Sequence, residues 1–511
     1  LTTVPDISLC QELDRNAKFS VFIPHHRRMA RQLIEIFLGK KSFDEFICVA
    51  VYARDRVNPS LFVYAFFVAI LHREDSKNIQ LPPFHEMFPD SFVDGKTLNK
   101  AKLYASVLPE GKRPLLIIPK DFTANDLDIE HRLAYFREDL SLNLHHWHWH
   151  LVYPFDCPKE IFNKDRRGEL FYYMHHQLIA RYNIERLCNN LARVKRYFNF
   201  DEPIEEGYFP KMDKPFASRS WAARHAGSRL SDIRREEERN VFDIDDLKRW
   251  KDLIIDAIHL GRVIDKNGEI IKLDEKTGID ILGNIIEACP TLSKNYPLYG
   301  DLHNSGHLAI ALCHDPDNRY LEDVSVMGVP STAARDPVFY RWHTFIDYIF
   351  EMHKNTLPPY TAAELDYQGI RIKKVALTTG VSDQMLYTFW EMADMDLSNG
   401  LDFVPGGSVF AQFTRIQHNP FKYTIEVENS TGQPRKGTVR IFLAPKYDEK
   451  GRRLLFVDQK RLFIEMDKFT VSLGESPAIT TIVRKSLDSN VTTNYETTFA
   501  KLETLTSDGM G

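Results

Sequence analysis

The sequence NLHHWHWH occupies residues 143–150, and GDLHNSGH occupies residues 300–307. Each stretch contains two histidines that are four residues apart. On a helix, side chains at this spacing lie one turn apart on the same face, where two imidazoles can hold one metal ion. The pattern therefore predicts a helical region built around two metal-binding pairs, His146 with His150 and His303 with His307.

A third histidine follows each pair on a later predicted helix, at His175 and at His343. Neutral imidazole suits copper, and three imidazoles leave one coordination position open for an exogenous molecule that bridges two metals. Zinc is the rival metal, but neither stretch contains the Glu of HExxH that supplies the general base in zinc hydrolysis. We therefore expect two copper ions that together bind dioxygen.

The choice of histidines leaves three alternatives open. His145 and His148 are three residues apart and could share a helix face in place of the pair with i, i+4 spacing. We favour the i, i+4 pair because the second stretch has the same spacing. His176 is adjacent to His175, and the sequence discriminates poorly between them. His314 precedes Asp-Pro and is expected in a loop rather than at a metal.

The period of the apolar residues divides the chain into three regions. The first two keep helical spacing, with turn formers at 109–119 between them. In the third the period changes to two, as in residues 423–427, which is typical of strands. We predict an α+β multidomain protein with a helical N-terminal domain, a helical domain that carries the histidines and a C-terminal β-sandwich, at residues 1–121, 122–357 and 358–511.

The composition argues against some classes of partner. The 511 residues are 43% hydrophobic and 27% charged, the balance of a globular protein. A net charge of −5 and a pI near 6.5 give no reason to expect nucleic acid or an anionic membrane. The longest apolar stretch, Leu61–Leu71, is shorter than the ~18 residues that indicate a membrane span.

At these residues the chain resembles the arthropod haemocyanin and prophenoloxidase family of type 3 copper proteins. The resemblance covers essentially the whole chain, from residues 19–24 through 52–58 to 437–446. It implies a helical N-terminal domain, an α-helical-bundle dicopper domain and an immunoglobulin-like C-terminal β-sandwich. It also implies the ligands of the first copper, CuA, and of the second, CuB, which are His146, His150 and His175, and His303, His307 and His343.

The ligands alone cannot separate an oxygen carrier from a phenol-oxidising enzyme within this family. Residues 163–170, 206–210 and 401–410 look more like insect prophenoloxidases than haemocyanins. We therefore expect a phenoloxidase that uses dioxygen to hydroxylate monophenols and to oxidise o-diphenols to o-quinones for melanin formation. A haemocyanin that binds dioxygen reversibly is the alternative. A storage protein that has lost copper is disfavoured because all six ligands are present.

The resemblance suggests roles for three further residues. Glu287 matches an acidic residue near the second copper that could deprotonate a phenol, helped by Asn304. The alternative for Glu287 is an exposed helix position where it only caps or is solvated. Phe22 matches a placeholder phenylalanine that projects from the N-terminal domain over the coppers and occupies the position of the phenol. Its alternative is ordinary core packing.

The resemblance also implies partners and a location. Phenolic small molecules are the expected substrates, a dimer or hexamer the expected assembly, and a serine protease the expected activator if the protein is a zymogen. We expect secretion into haemolymph, although no signal peptide is visible. The chain starts after the expected cleavage segment and stops before the expected Cys-Gly-Trp-Pro segment, so we expect it to be a partial sequence.

Overall fold

The computed structural model describes residues 3–120, 127–214, 219–380, 384–400, 406–475, 478–489 and 491. Its first part is helical, and polar side chains cap three of these helices. Ser42 accepts a hydrogen bond from the backbone N–H of Glu45, and Asn58 accepts from the N–H of Leu61. The helices are α1 Pro24–Leu38, α2 Phe43–Arg54, α3 Pro59–His72, α4 Phe84–Met87 and α5 Gly95–Val107.

A second set of helices follows. Asp139 caps the first long one through the N–H of Leu142, and Asp336 caps the last, where Pro337 suits the first turn. The helices are α6 Ala134–Arg137, α7 Leu140–Val152, α8 Lys159–Phe162, α9 Arg167–Cys188, α10 Ile244–Leu260, α11 Gly278–Ile286, α12 Tyr296–Tyr299, α13 Leu302–Ala311 and α14 Pro337–Thr356.

Glycines let these helices approach closely at two places. A Cβ on Gly306 of α13 would lie 1.9 Å from the ring of Trp342 on α14. A Cβ on Gly283 of α11 would lie 2.0 Å from the carbonyl oxygen of Gly168 on α9. Both distances are far inside van der Waals contact, so a side chain at either position would force the helices apart. The close packing brings α9, α13 and α14 around one pocket.

The C-terminal part is built of strands that form two packed layers. The middle strand of one sheet buries alternate residues, Phe421, Tyr423, Ile425 and Val427, against Leu473 of another. The elements are α15 Ala362–Leu365, β8 Ile370–Thr379, β9 Thr388–Asp396, β10 Phe410–His418, β11 Phe421–Asn429, β12 Arg435–Leu443, α16 Phe456–Gln459, β13 Ile464–Leu473 and β14 Ala478–Lys485.

Antiparallel pairing links these strands as β8–β11–β14, β12–β13 and β9–β10. Short two-stranded pairs lie within the helical part of the chain that precedes these strands. They comprise β2 Asp213–Lys214 with β3 Arg219–Ser220, β4 Ile233–Arg235 with β5 Asn240–Phe242, and β6 Arg262–Ile264 with β7 Ile270–Lys272.

One strand crosses between regions that the sequence treats as separate. Strand β1, Leu116–Ile117, pairs in parallel with β10, so that Leu116 lies opposite Ala411. The first region therefore contributes to a C-terminal sheet. The boundary predicted at residue 121 falls in residues 121–126, outside the described residues. Among the described residues, no helix is both long enough and apolar enough to cross a membrane.

Candidate metal centre

Six histidines converge among the helices of the second set. Every one is buried, with no more than 3% of its surface exposed. The Nε2 atoms within each of two neighbouring pairs are 3.1 Å apart, His146 with His150 and His307 with His343. The six histidines are His146 and His150 on α7, His175 on α9, His303 and His307 on α13, and His343 on α14.

A loop at residues 327–330 orients two of the rings. Nδ1 of His146 donates to the carbonyl oxygen of Pro330 at 2.7 Å, and Nδ1 of His307 donates to that of Met327 at 2.9 Å. A carbonyl only accepts, so each of these rings carries its proton on Nδ1 and its lone pair on Nε2. The loop therefore orients one ring of each predicted pair so that its Nε2 atom faces the pocket.

Two further rings are oriented in the same way. Nδ1 of His175 donates to the carbonyl of Phe171, and Nδ1 of His303 donates to Oδ1 of Asn304, both at 2.9 Å. Hydrogen bonds of this kind fix the tautomer and orientation of metal-binding histidines. Asn304 is thus placed to act on His303, its neighbour in the chain.

The nitrogens that face the pocket fit a pair of copper ions. Nε2 of His175 and Nε2 of His303 are buried, and no described residue hydrogen-bonds to them. Leaving a polar atom buried without a partner costs about 1–3 kcal/mol, which a bound metal would offset. The ligand atoms of His146, His150 and His175 lie within 4.8 Å of one another, as do those of His175, His303 and His343. Imidazole groups without a carboxylate match the donor set of copper.

Burial keeps these imidazoles neutral. It lowers the pKa of His146 to about 4 and the pKa of His307 to about 3, and it lowers the pKa values of the other four well below the ordinary value. Desolvation of the charged form is the largest cause, and the other histidines add repulsion. Neutral rings are the form that binds a metal, so the pocket needs no proton release at neutral pH to accept copper.

The other histidines near these positions have different surroundings. His176 points away from the pocket, where its Nδ1 lies 2.8 Å from a carboxylate oxygen of Asp347. His145 is exposed, whereas His148 is buried on the same helix as His146 and His150. Nε2 of His314 lies 3.1 Å from the backbone carbonyl oxygen of Asp323.

Phe22 lies against the pocket from the N-terminal side. Its ring stacks on His307 with a centroid distance of 4.3 Å and an interplanar angle of 8°. It also meets His150 and His303 edge-on at 6.3 and 6.2 Å. The side chain is fully buried. Phe22 therefore covers histidines from both predicted pairs.

Glu287 lies behind the pocket, and its surroundings contradict the exposed-helix alternative. It is 0% exposed, and its two carboxylate oxygens accept hydrogen bonds from the guanidinium of Arg167 at 2.5 and 3.1 Å. Its backbone carbonyl accepts from Nδ2 of Asn304 at 2.8 Å. Burial raises the pKa of this carboxyl group, and Arg167 opposes that shift. Glu287 is thus linked through Asn304 to His303.

Arg167 is a residue that sequence reasoning missed. It is 1% exposed and also donates to the carbonyl oxygens of Tyr153 and Pro154. Its neighbour Arg166 ends the preceding turn with a positive φ of 50°. No feature of the sequence distinguishes the buried arginine from the one beside it, because burial here depends on packing against α11.

Six buried, neutral imidazoles that line one helical pocket match the donor set of a type 3 dicopper protein. Three family models match the chain in succession: "Hemocyanin, all-alpha domain" at residues 3–78, "Hemocyanin, copper containing domain" at 83–350 and "Hemocyanin, ig-like domain" at 359–510. The chain belongs to the haemocyanin family. The predicted fold class is confirmed, and the cofactor is a pair of copper ions.

Similar proteins come from insects and other arthropods. The chain is 53% identical to "Phenoloxidase 2" of Drosophila melanogaster and 51% identical to "Phenoloxidase 1" of Holotrichia diomphalia, in each case over 98% of this chain and 73% of the relative. A crustacean haemolymph-type prophenoloxidase matches with a TM-score of 0.89 at 33% identity, over 96% of this chain and 78% of that one. A scorpion haemocyanin in its activated state matches with a TM-score of 0.86 at 43% identity, over 94% and 75%.

Proposed function

We propose that the chain is a phenoloxidase that hydroxylates monophenols to o-diphenols and oxidises o-diphenols to o-quinones. It is a copper oxidoreductase of the haemocyanin family, and about half of its residues are identical to those of insect phenoloxidases. The observation that carries the proposal is this identity to phenoloxidases over 98% of the chain, and the stack of Phe22 on His307 adds that an aromatic ring fits against the histidines. When bound, the copper pair supplies the capacity to bind dioxygen and exchange electrons with it.

The chain's own residues would place the phenol. We infer that the substrate ring takes the position of Phe22 and stacks on the imidazole of His307. The Nδ1 hydrogen bonds of His146 and His307 to backbone carbonyls hold the two rings in place. Because all six histidines are buried, the reacting atoms are shielded from bulk water. We propose His146, His150 and His175 as ligands of one copper, and His303, His307 and His343 as ligands of the other.

Glu287 and Asn304 suit a positioning role. A general base needs a carboxylate oxygen that is available to take the proton. Both oxygens of Glu287 accept hydrogen bonds from Arg167 in a buried ion pair, so proton transfer would have to weaken that pair. We propose that Glu287 and Asn304 hold the ring of His303, and that deprotonation of the phenol by Glu287 is the less favoured role.

Reversible oxygen carriage is the second candidate. It is favoured by the same buried pocket covered by Phe22 and by the match to a scorpion haemocyanin. A carrier and an enzyme share the histidines and differ in whether a phenol can reach them. The ring of Phe22 would have to stay over the histidines in a carrier and move away from them in an enzyme.

The test is oxygen uptake by the copper-loaded protein with dopamine, before and after mild protease or detergent treatment. We expect sustained turnover after treatment and little before it. Copper-loaded protein without dopamine is the control for simple binding. Stoichiometric uptake that reverses when oxygen is withdrawn, with no quinone formed, would establish the carrier instead.

The remaining proposals concern its setting. We propose that it acts in haemolymph on phenolic small molecules whose quinone products feed melanin formation. We propose a dimer or hexamer, and activation by a serine protease if it is made as a zymogen. The sequence has no excess of basic residues, so we propose neither nucleic acid nor a membrane as a partner.

A further inference from the structure

The segment that carries Phe22 is held at its backbone. The N–H of Phe22 donates to Oγ of Ser20 at 3.2 Å, and that hydroxyl donates to the carbonyl of Gly328 at 2.5 Å. The N–H of Ser20 donates in turn to Nδ1 of His26 on α1 at 3.1 Å. The segment is therefore tied both to α1 and to the loop at 327–330 that orients His146 and His307.

Arg27 holds the other side of the same segment. Its Nη1 donates to the carbonyl oxygens of Val21 and Phe22, each at 3.2 Å. Its Nη2 donates to Oδ2 of Asp301 at 2.8 Å, and Asp301 comes directly before α13. Both side chains of this ion pair are nearly buried, at 5% and 6% exposed. One guanidinium thus joins the backbone of Phe22 to the beginning of the helix that carries His303 and His307.

We propose that Arg27 is the positioning residue that keeps the ring of Phe22 over the histidines, and so controls access to the metal pocket. The inference rests on the proposed function, in which Phe22 occupies the position of the phenol. Because Arg27 lies on α1 and Asp301 at α13, a shift of α1 relative to α13 pulls the carbonyl of Phe22 with it. Displacement of the N-terminal helix would therefore uncover the pocket without any change in the histidines.

The chemistry of arginine explains why this residue type is needed. A guanidinium presents several donors in a rigid plane, so it can bind two carbonyls and a carboxylate together. Lysine keeps the positive charge but places it at one point on a flexible stem. Arg27→Lys should therefore preserve the charge opposite Asp301 and lose the fixed contacts to Val21 and Phe22. This variant separates the effect of the planar guanidinium, with its several donors, from the effect of the positive charge.

The experiment compares Arg27→Lys with Arg31→Lys. Arg31 is the control on the same helix: its side chain is 41% exposed and pairs with Asp156 at 2.9 Å but does not contact the Phe22 segment. The probes are benzoate binding to the copper-loaded protein, followed by its absorbance, and the rate at which cyanide removes copper. We expect tighter benzoate binding and faster copper loss in Arg27→Lys alone, by roughly fivefold for each hydrogen bond lost. Benzoate and cyanide report access without any turnover.

Steady-state kinetics, and the same substitution made in the Phe22→Ala variant, show whether Arg27 acts through Phe22. We expect a lower KM for dopamine with an unchanged kcat in Arg27→Lys, which a general loss of structure would not produce. In a Phe22→Ala background, Arg27→Lys should add nothing. Equal behaviour of Arg27→Lys and Arg31→Lys, or an effect of Arg27→Lys that persists in Phe22→Ala, would overturn the proposal.

A variant without any change of charge covers the case in which Arg27→Lys fails to fold. Ser20→Ala removes the hydroxyl that binds Phe22 and Gly328, and it should open the pocket in the same direction. If Ser20→Ala leaves benzoate and cyanide access unchanged, the segment is not what closes the pocket. Failure of phenol oxidation together with increased probe access would refute the enzyme and leave the role of Arg27 supported.

Discussion

The ring of Phe22 lies parallel to the imidazole of His307, 4.3 Å from it. Phe22 precedes α1, and His307 lies on α13, so the contact joins the N-terminal part of the chain to the metal pocket. Stacked aromatic pairs contribute about 0.5–1.5 kcal/mol beyond the area they bury. This term adds to the larger contribution of burying the ring, so Phe22 occupies the pocket at rest.

Removing the cap should open the resting protein. We expect Phe22→Ala to oxidise dopamine without prior protease or detergent treatment, with a lag that is shortened or absent. The truncation leaves a cavity that costs about 3–5 kcal/mol, so its thermal unfolding should also move to lower temperature. Phe22→Leu is the control, because it keeps most of the volume without an aromatic face. Latency in Phe22→Ala equal to that of the unaltered chain would contradict the role of Phe22.

Two adjacent histidines should behave differently. His175 faces the pocket, whereas His176 faces Asp347. We expect His175→Ala to bind less than the full complement of copper and to lose oxygen binding, and His176→Ala to keep both. Copper per chain measured by atomic absorption, with the absorbance of the oxygenated protein, tests this. Loss of copper in His176→Ala with retention in His175→Ala would show that the ligand is assigned to the wrong residue.

Asn304 should affect the metal through His303. Its Oδ1 accepts from Nδ1 of His303, so removing the amide leaves that ring free to rotate. Loss of such an outer hydrogen bond lowers metal affinity by about 10–100-fold. We expect Asn304→Ala to release copper to a competing chelator at correspondingly lower chelator concentration. Asn284→Ala, at another buried asparagine of the same region, is the control. Unchanged copper affinity in Asn304→Ala would argue against the positioning role.

The Glu287→Gln variant tests whether Glu287 has a structural role or takes a proton from the phenol. Glu287→Gln leaves Arg167 buried without its counter-charge, and breaking a buried pair costs about 3–5 kcal/mol. We expect a lower free energy of unfolding and a pH profile of kcat that keeps its shape. If Glu287 is also the base, the same loss of stability would come with a lower kcat and loss of its acidic limb. Urea unfolding measures the loss of stability, and the pH profile of kcat separates the two roles.

The buried histidines make the metal-free protein sensitive to acid. Burial lowers the pKa of His146 to about 4 and the pKa of His307 to about 3. In the unfolded chain such groups titrate near pH 6.5, so below that pH the unfolded state binds protons that the folded state does not. Stability therefore falls as the pH drops from 6.5 toward 4, by about 1.4 kcal/mol for each such histidine at pH 5.5. Urea unfolding of the metal-free protein at pH 7.5, 6.5 and 5.5 measures this, and a flat profile would contradict it.

Local periodicity accounts for what the sequence determined by itself. Four-residue spacing placed His146 with His150, and His303 with His307, on single helix faces, because a helix turn depends only on neighbouring residues. The change to a period of two after residue 357 marked the strands for the same reason. The fold class and the copper cofactor followed from these patterns and from the family resemblance.

Tertiary structure alone decided how the pocket is held and covered. His146 bonds to the carbonyl of Pro330, 184 residues away, and Arg27 bonds to Asp301, 274 residues away. No spacing in the chain predicts such contacts, because backbone carbonyls are present at every residue and only packing selects which one meets a side chain. The choice between His175 and His176, the burial of Glu287 against Arg167 and the hold of Arg27 on Phe22 all depend on which surfaces the folded helices bring together.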